Sequence, residues 1–477
     1  MQFNSYEFIL LFLPATVLLY FTANRIHLNI GKTVLIAASI LFYCLGRWNM
    51  LLYLGASIVL NYLFVLVIKK NGTHSRWTLA VPVVINVGLL LYFKYLNFAI
   101  MNVNALAGTD FAPKDVVLPL GISFYTFQQI AYVVATWRGE LENSSLPDYL
   151  TYILYFPKLV MGPLAEPVDF ITQINQPDRK KVQAHNIAVG LKLFSLGLIK
   201  KVLIADTFSR AAGWAHGNLN EATAMDCLLW ILFYTFEIYF DFSGYSDMAT
   251  GISAMMNIDL PINFDSPYQA ISIRDFWKRW HISLTRFLTK YIYIPLGGSR
   301  KGKAFTYLNV MIVFLVSGLW HGASWGFVAW GLLHGLLSCF DRIFEKPQAK
   351  IWKPIRWLFT FAAVSVLWLL FDVADVRVWL IILLRILHMP NAAVSEEMIL
   401  AFQSSESGFL FNLLHINIPW LPMLVFILAA CFICFIPENN YRNKDKLSAG
   451  NMILAAVCFI WGVLCLGAES SFVYFGF

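Results

Sequence analysis

The sequence reads as an all-α protein that crosses a lipid bilayer about eleven times, with re-entrant and interfacial helices between the crossings. Of its 477 residues only 13% are charged and 59% are hydrophobic. The mean hydropathy is +0.64. A soluble domain carries about a quarter charged residues, and a soluble chain of this length would have roughly three water-facing domains to cover. There is too little charge for that. Apolar runs of about 20 residues instead match a hydrocarbon core of ~30 Å. Disorder, collagen and disulfide scaffolds are excluded on the same composition.

Apolar segments lie at 7–23, 33–46, 50–68, 77–100, 117–137, 149–165, 186–204, 224–242, 305–340, 355–373, 419–436 and 450–467. The first has neither a positive leading region nor a small-x-small cleavage site, so it reads as a retained helix. Lys/Arg-rich loops at 69–76, 172–187, 272–303, 341–356 and 441–447 are assigned to the cytoplasm by the positive-inside rule. Loops near 101–116, 205–223 and 390–418 are poor in Lys/Arg and go outside, as do both termini. Residues 149–165 carry two prolines and a lysine, which predicts a re-entrant or broken segment. Residues 305–340 have cytoplasmic loops on both sides, so they must form a hairpin. Two arms of roughly 15 residues reach about 22 Å. That is short of a full crossing and places the tip, SGLWHGASWG, inside the membrane. No internal repeat is evident, which counts against a secondary transporter.

The net charge of +7 comes from 35 Lys+Arg against 28 Asp+Glu. These bases sit in short loops and form no recognition arm, so nucleic acid is not expected as a partner. Six of the seven cysteines lie within apolar segments, and Cys339 ends another. Cys431 and Cys434 form a CxxC with no second ligand pair, so inert thiols are expected and no metal site.

Ionisable groups at membrane depth are expensive and therefore informative. His321 sits at the hairpin tip within Ser317-Gly-Leu-Trp-His-Gly-Ala-Ser-Trp-Gly326. A neutral imidazole there can take a proton from a hydroxyl and return it to a leaving group; the alternative is a histidine that bonds a neighbouring helix. His334, in GLLHG, reads as structural. Residues 272–303 carry eight bases, among them Arg274, Lys278, Arg279 and Arg286, against one acid, Asp275. On a continuous helix Trp277, Trp280, Leu284, Phe287 and Leu288 share one face, with His281 at its border. That pattern fits a helix lying on anionic lipid. It also fits a cytoplasmic mouth whose bases hold phosphates while His281 points inward. Pro295-Leu-Gly-Gly-Ser299 ends the segment in a turn. Glu237 and Asp241, at i,i+4, put two carboxylates on one helix face, and Asp247 follows. They read as groups that orient other polar residues; a proton relay is the competing reading. The chain ends Phe472-Val-Tyr474-Phe-Gly-Phe477, either an interfacial tail or a flexible phenol able to reach an outer cavity.

RDFWKRWHISLTRFLTKYIYIPLGGSRKG followed by VSGLWHGASWGFVAWGLLHG resembles the membrane-bound O-acyltransferase superfamily, in the branch holding the alginate and peptidoglycan O-acetyltransferase membrane subunits. LPLGISFYTFQQIAYVVATWRGE, YFPKLVMGPL, LGLIKKVLIAD and DFSGYSDMATGISAMMNIDLPINFDSPY extend the resemblance over most of residues 1–340. Carried over by position, it implies His321 as the catalytic histidine, His281 as the second signature position and Tyr474 as an acyl relay. One departure is Lys158, where the family pattern expects Gln. The resemblance also implies one integral-membrane domain over 1–477, with N-terminal helices to 110, a catalytic core over 111–340, further helices to 471 and the tail 472–477. A tunnel through the membrane would run within that core.

On this reading acetyl-CoA is the donor and no cofactor is bound permanently. Arg274, Lys278, Arg279, Arg286, Trp277 and Trp280 hold the donor. Glu237, Asp241, Asp247 and Ser317 support the site. The expected partners are membrane lipid and an extracytoplasmic SGNH-type or esterase-like transferase, and the expected location is the bacterial inner membrane. D-alanyl transfer to teichoic acid is the alternative within the enzyme class. An ion or solute transporter using His321, Glu237 and Asp241, or a non-catalytic subunit, is the alternative outside it.

Overall fold

The computed structural model describes residues 1–71, 75–141, 143–388, 392–403, 411, 413, 415, 417–466 and 472. Among these the regular secondary structure is all helical, with no strand. Among the described residues seven helices are long and apolar enough to cross a membrane. The chain divides into two compact units, Met1–Phe194 with Met248–Pro261, and Ser195–Asp247 with Ile262–Phe477.

In the first unit α1 (Leu13–Ile26), α2 (Leu28–Arg47), α3 (Leu51–Asn71) and α4 (Arg76–Ala107) are the long apolar helices. Two buried amides join α3 to α4: Asn86 Nδ2 donates to Asn61 Oδ1 at 2.6 Å and Asn61 Nδ2 donates back at 3.2 Å. Such pairs satisfy polar groups that lipid cannot. The next apolar segment turns helical only at α5 (Ile122–Trp137), because Gly121 caps it with φ 74°. The suspected broken segment is broken. The chain there forms α6 (Leu146–Leu154) and α7 (Phe156–Leu159), with Tyr155 non-helical between them and Pro157 in the first turn of α7. Lys158 is fully buried. Its ammonium donates to Gln128 Oε1 at 2.5 Å and to the Tyr152 carbonyl, and lies 3.9 Å from the centre of the Tyr152 ring. The departure at position 158 is thus accommodated by local acceptors and a π face. α8 (Pro167–Asn175) and most of α9 (Ala184–Ile199) follow.

The second unit contains α10 (Asp206–Gly217), most of α11 (Ala224–Met255), α12 (Ile273–Arg279) and α13 (Ile282–Leu288). Next come α14 (Lys303–His321), α15 (Trp325–Ile343), α16 (Glu345–Gln348) and α17 (Lys353–Val373). α18 (Val376–His388), α19 (Glu396–Leu400), α20 (Leu421–Phe435) and α21 (Ala449–Leu464) complete it. The expected hairpin is present as α14 and α15, but its arms are 19 residues each. At 1.5 Å per residue each reaches about 28 Å, close to the ~30 Å core. Arm length alone therefore does not hold the tip at half depth, and that expectation is corrected. Sequence reasoning began the first arm two residues late and ended the second three early, at polar residues that the helix in fact includes.

The arms pack at glycine. A Cβ on Gly331 would strike the Phe314 carbonyl oxygen, and one on Gly318 would strike the Phe327 carbonyl oxygen. Gly331→Leu is expected to force the arms apart and cost at least the ~1–3 kcal/mol of ordinary overpacking. Thermal unfolding in detergent checks this, with Gly88→Ala, which meets nothing within 4 Å, as the neutral control.

Candidate active site

The basic block does not form one amphipathic helix. Ser272 caps α12 by accepting from Asp275 N at 3.1 Å, and α12 stops where Trp280 turns extended. His281 then adopts the left-handed conformation, φ 44° and ψ 51°. A non-glycine residue there is strained by roughly 1–3 kcal/mol and needs its surroundings to hold it. Asn263 does so. Its carbonyl accepts from Ile282 N at 3.0 Å, and its side-chain oxygen accepts from Ser283 Oγ at 2.6 Å. The kink takes His281 off the border of a lipid-facing surface and buries it, at 1% exposure. Its ring stands edge-on to Phe242 at 4.8 Å and 6.1 Å from Trp320. Among the described residues neither ring nitrogen has a hydrogen-bond partner. Burial lowers its pKa to about 3, so the imidazole is neutral near pH 7. A buried, neutral, unpartnered ring can donate one hydrogen bond to a ligand and accept another.

His321 ends α14 and is 4% exposed. Trp320, Trp330 and Phe371 surround it at 4.8, 5.3 and 5.1 Å between ring centres. Trp320 thus touches both histidines. His334, one turn after Trp330, accepts from Trp277 Nε1 at 3.2 Å on Nδ1. It packs 4.8 Å from Trp330, as a ring that fixes two tryptophans.

Beneath this cluster lies a cavity of about 300 Å³ lined by Arg274, Trp277, Lys278, Leu284, Leu288, Phe314 and Ser317, among others. Ser317 is four residues before His321, so the inner end of the cavity lies one turn below the imidazole on the same face of α14. The expected donor residues separate here. Arg274, Lys278, Trp277 and Ser317 line the cavity. Trp280 is instead packed against Trp368 at 4.7 Å, and Arg279 is tied to Asp275 at 3.0 Å. Arg286 is exposed, and it is not among the lining residues. Trp280 leaves the face because α12 ends at its extended backbone, whereas Leu284 and Leu288 of α13 still join Trp277 in the cavity wall. Thr285 of α13, Thr289 and Tyr293 of the π-helical stretch after it, and Ser338 and Arg342 of α15 also line the cavity and were missed; the last two come from a helix that local spacing cannot bring to the basic segment. The cavity does not include the His321 ring. Trp320, Trp330 and Phe371 instead pack directly around that ring.

The carboxylates of α11 serve different partners. Asp241 accepts from Lys201 Nζ at 2.7 Å, and the same ammonium contacts Asp206 at 2.8 Å. Asp247 pairs with Lys200 at 2.7 Å and accepts from Asn440 at 3.0 Å. Sequence reasoning missed both lysines as partners; the available signal was two adjacent cations inside an apolar run. Glu237 lines a separate cavity of about 270 Å³ with Ser209, His216 and Asp372. The hydrogen bond to Asp372 holds the His216 imidazole above its usual pKa. Phe472 lies with its ring 4.6 Å from the Lys201 ammonium and 5.0 Å from Tyr245. Tyr474 lies outside the described residues. Among those residues no group of three or more His, Cys, Asp or Glu could hold a metal ion.

Fold and site together define a multi-pass, all-helical membrane protein whose buried histidine stands over a cavity with basic residues in its wall. The family model for MBOAT, the membrane-bound O-acyltransferase family, matches residues 122–374. The chain belongs to that family and is an acyltransferase. It is 33% identical to a peptidoglycan O-acetyltransferase of Helicobacter pylori, over 100% of this chain and 97% of that protein. It is 37% identical to a protein of Azotobacter vinelandii named "Probable alginate O-acetylase AlgI", over 79% of this chain and 76% of that one. A teichoic acid D-alanyltransferase of Bacillus subtilis is 28% identical over 53% of this chain and 66% of its own length.

Proposed function

We propose that this chain is an O-acetyltransferase that takes acetyl from cytoplasmic acetyl-CoA and passes it across the bacterial inner membrane for O-acetylation of a cell-envelope polysaccharide such as peptidoglycan or alginate. Similarity along the whole chain to a peptidoglycan O-acetyltransferase carries the substrate class. The cavity that ends one turn below His321 carries the mechanism. The thioester arm enters that cavity from the basic side. Movement of the Trp320–Trp330–Phe371 ring layer admits the thioester carbonyl to His321. His321 accepts the hydroxyl proton of the acceptor as its oxygen bonds to the carbonyl carbon. The C–S bond then breaks, and the imidazolium returns the proton to the departing thiolate. His281, neutral and unpartnered among the described residues, donates to the oxygen that becomes negative.

Tyr474 is the first acceptor. A phenol (pKa ~10) ionises more readily than a sugar hydroxyl and leaves more readily in the next transfer. Both termini are extracytoplasmic, where an SGNH-type or esterase-like partner takes the acetyl group to the polymer. D-alanyl transfer is less favoured, because the similarity to the D-alanyltransferase covers only about half of this chain.

The purified chain in lipid nanodiscs, given radiolabelled acetyl-CoA, tests the reading. Label is expected on the C-terminal peptide, at Tyr474 by mass spectrometry, and is expected to be absent from Tyr474→Phe. Failure to consume acetyl-CoA would reject the donor, and an equally labelled Tyr474→Phe would reject the relay.

A further inference from the structure

A second cavity, of about 480 Å³, is lined by Ser299, Gly302, Lys303, Thr306, Tyr307, Arg342 and Ile343. Arg342 also lines the cavity below His321, and no other described residue lines both. The two spaces differ in character. The inner one is walled mainly by apolar side chains such as Trp277, Leu284, Val313 and Phe314, with Arg274, held by Glu345, and the exposed Lys278 at its edge. The outer one is edged by hydroxyls, a lysine and the guanidinium, and it abuts the start of α14 at Lys303. Unpaired amides of a first helical turn add partial positive charge there.

The bases around these cavities are unequal. Arg274 is held by Glu345 at 3.1 Å and Arg279 by Asp275 at 3.0 Å. Among the described residues the half-buried Arg342 guanidinium and the Lys303 ammonium make no ion pair and no hydrogen bond. One turn before Arg342, on the same face of α15, Ser338 is 6% exposed and lines the inner cavity. Its Oγ has no partner among the described residues. A buried hydroxyl left unsatisfied beside a cavity points to a polar group supplied by a ligand.

These features form a series along one path: an anion-seeking outer chamber, a lone hydroxyl, an apolar channel, and Ser317 one turn below His321. We propose that the outer chamber binds the phosphates of a nucleotide-linked thioester through Arg342 and Lys303, while Ser338 bonds an amide of its pantetheine arm. This rests on the acetyl-CoA reading above and deepens it. The donor is bound as the free nucleotide thioester, since an arm borne on a carrier protein has one phosphate and no nucleotide to fill a chamber of this size. A lipid phosphate offers the same charge chemistry, so the test must separate the two sources.

The full chain in nanodiscs is assayed with acetyl-CoA and with acetyl-pantetheine, which lacks every phosphate. Arg342→Gln is expected to raise the KM for acetyl-CoA about 10- to 100-fold, the range of a lost charged hydrogen bond. The KM for acetyl-pantetheine and the kcat for both donors stay unchanged. Lys303→Gln moves in the same direction by less, as befits an exposed amine. Equal rises for both donors would make Arg342 a structural residue and overturn the clamp, as would an unchanged KM for acetyl-CoA. A mutant effect seen in phosphatidylglycerol nanodiscs, absent in phosphatidylcholine and alike for both donors, would assign the chamber to lipid and also overturn it. If wild type uses neither donor, the acetyl-CoA reading itself fails; if it uses both with the same KM, only the clamp fails.

Discussion

His321→Ala is expected to lower acetyl transfer by about 10²–10⁴-fold, the usual contribution of a positioned general base, while the protein still inserts in the membrane and folds. Insertion depends on the apolar length of α14, and hairpin packing depends on Gly318 and Gly331, so neither needs the imidazole. The ring is nonetheless packed between Trp320, Trp330 and Phe371, and its deletion leaves a hole. His321→Gln keeps a polar side chain without the base and covers the case in which the alanine variant unfolds. Single-turnover acetyl transfer and detergent melting are the measurements. A folded variant retaining more than a tenth of wild-type transfer would show that another group moves the proton.

Lys201→Met is expected to give the largest loss of stability among the ionic contacts of the second unit. One ammonium there serves Asp241 at 2.7 Å and Asp206 at 2.8 Å, and Asp241 is 1% exposed. Removing one partner of a buried pair typically costs ~3–5 kcal/mol, because the stranded carboxylate keeps its desolvation without its counter-charge. Lys201→Met combined with Asp241→Asn should recover part of that loss, since the stranded charge is then gone. Lys200→Met should cost less, because Asp247 keeps Asn440 at 3.0 Å. Melting temperatures of the three variants decide the matter. A wild-type melting temperature for Lys201→Met would show that this network is not what holds α11.

The reach of the sequence can be traced residue by residue. The apolar helices, the hairpin and the break at 149–165 follow from local hydropathy and proline chemistry, and each appears where those dictate. His321 is singled out in the sequence by the cost of placing an imidazole at membrane depth, and the structure buries its ring at 4% exposure. The assumed geometry of residues 272–303 does not survive. Helical periodicity treats the segment as continuous, while Asn263, ten or more residues away, pins His281 in a left-handed turn. Local pattern cannot foresee a strain that a distant side chain compensates. Three of the six residues assigned to the donor, Arg279, Trp280 and Arg286, do not line the cavity.

By itself the sequence determined that this chain is a helical membrane protein and which family it belongs to. Hydropathy, ion desolvation and motif identity are properties of short stretches of chain. Only the tertiary structure decided that Trp330 and Phe371 pack against His321. It also decided that Lys200 and Lys201 pair with Asp247 and Asp241 of α11 and that Arg342 lines two cavities. Those outcomes depend on distances between residues far apart in the chain, which packing sets and which no local periodicity encodes.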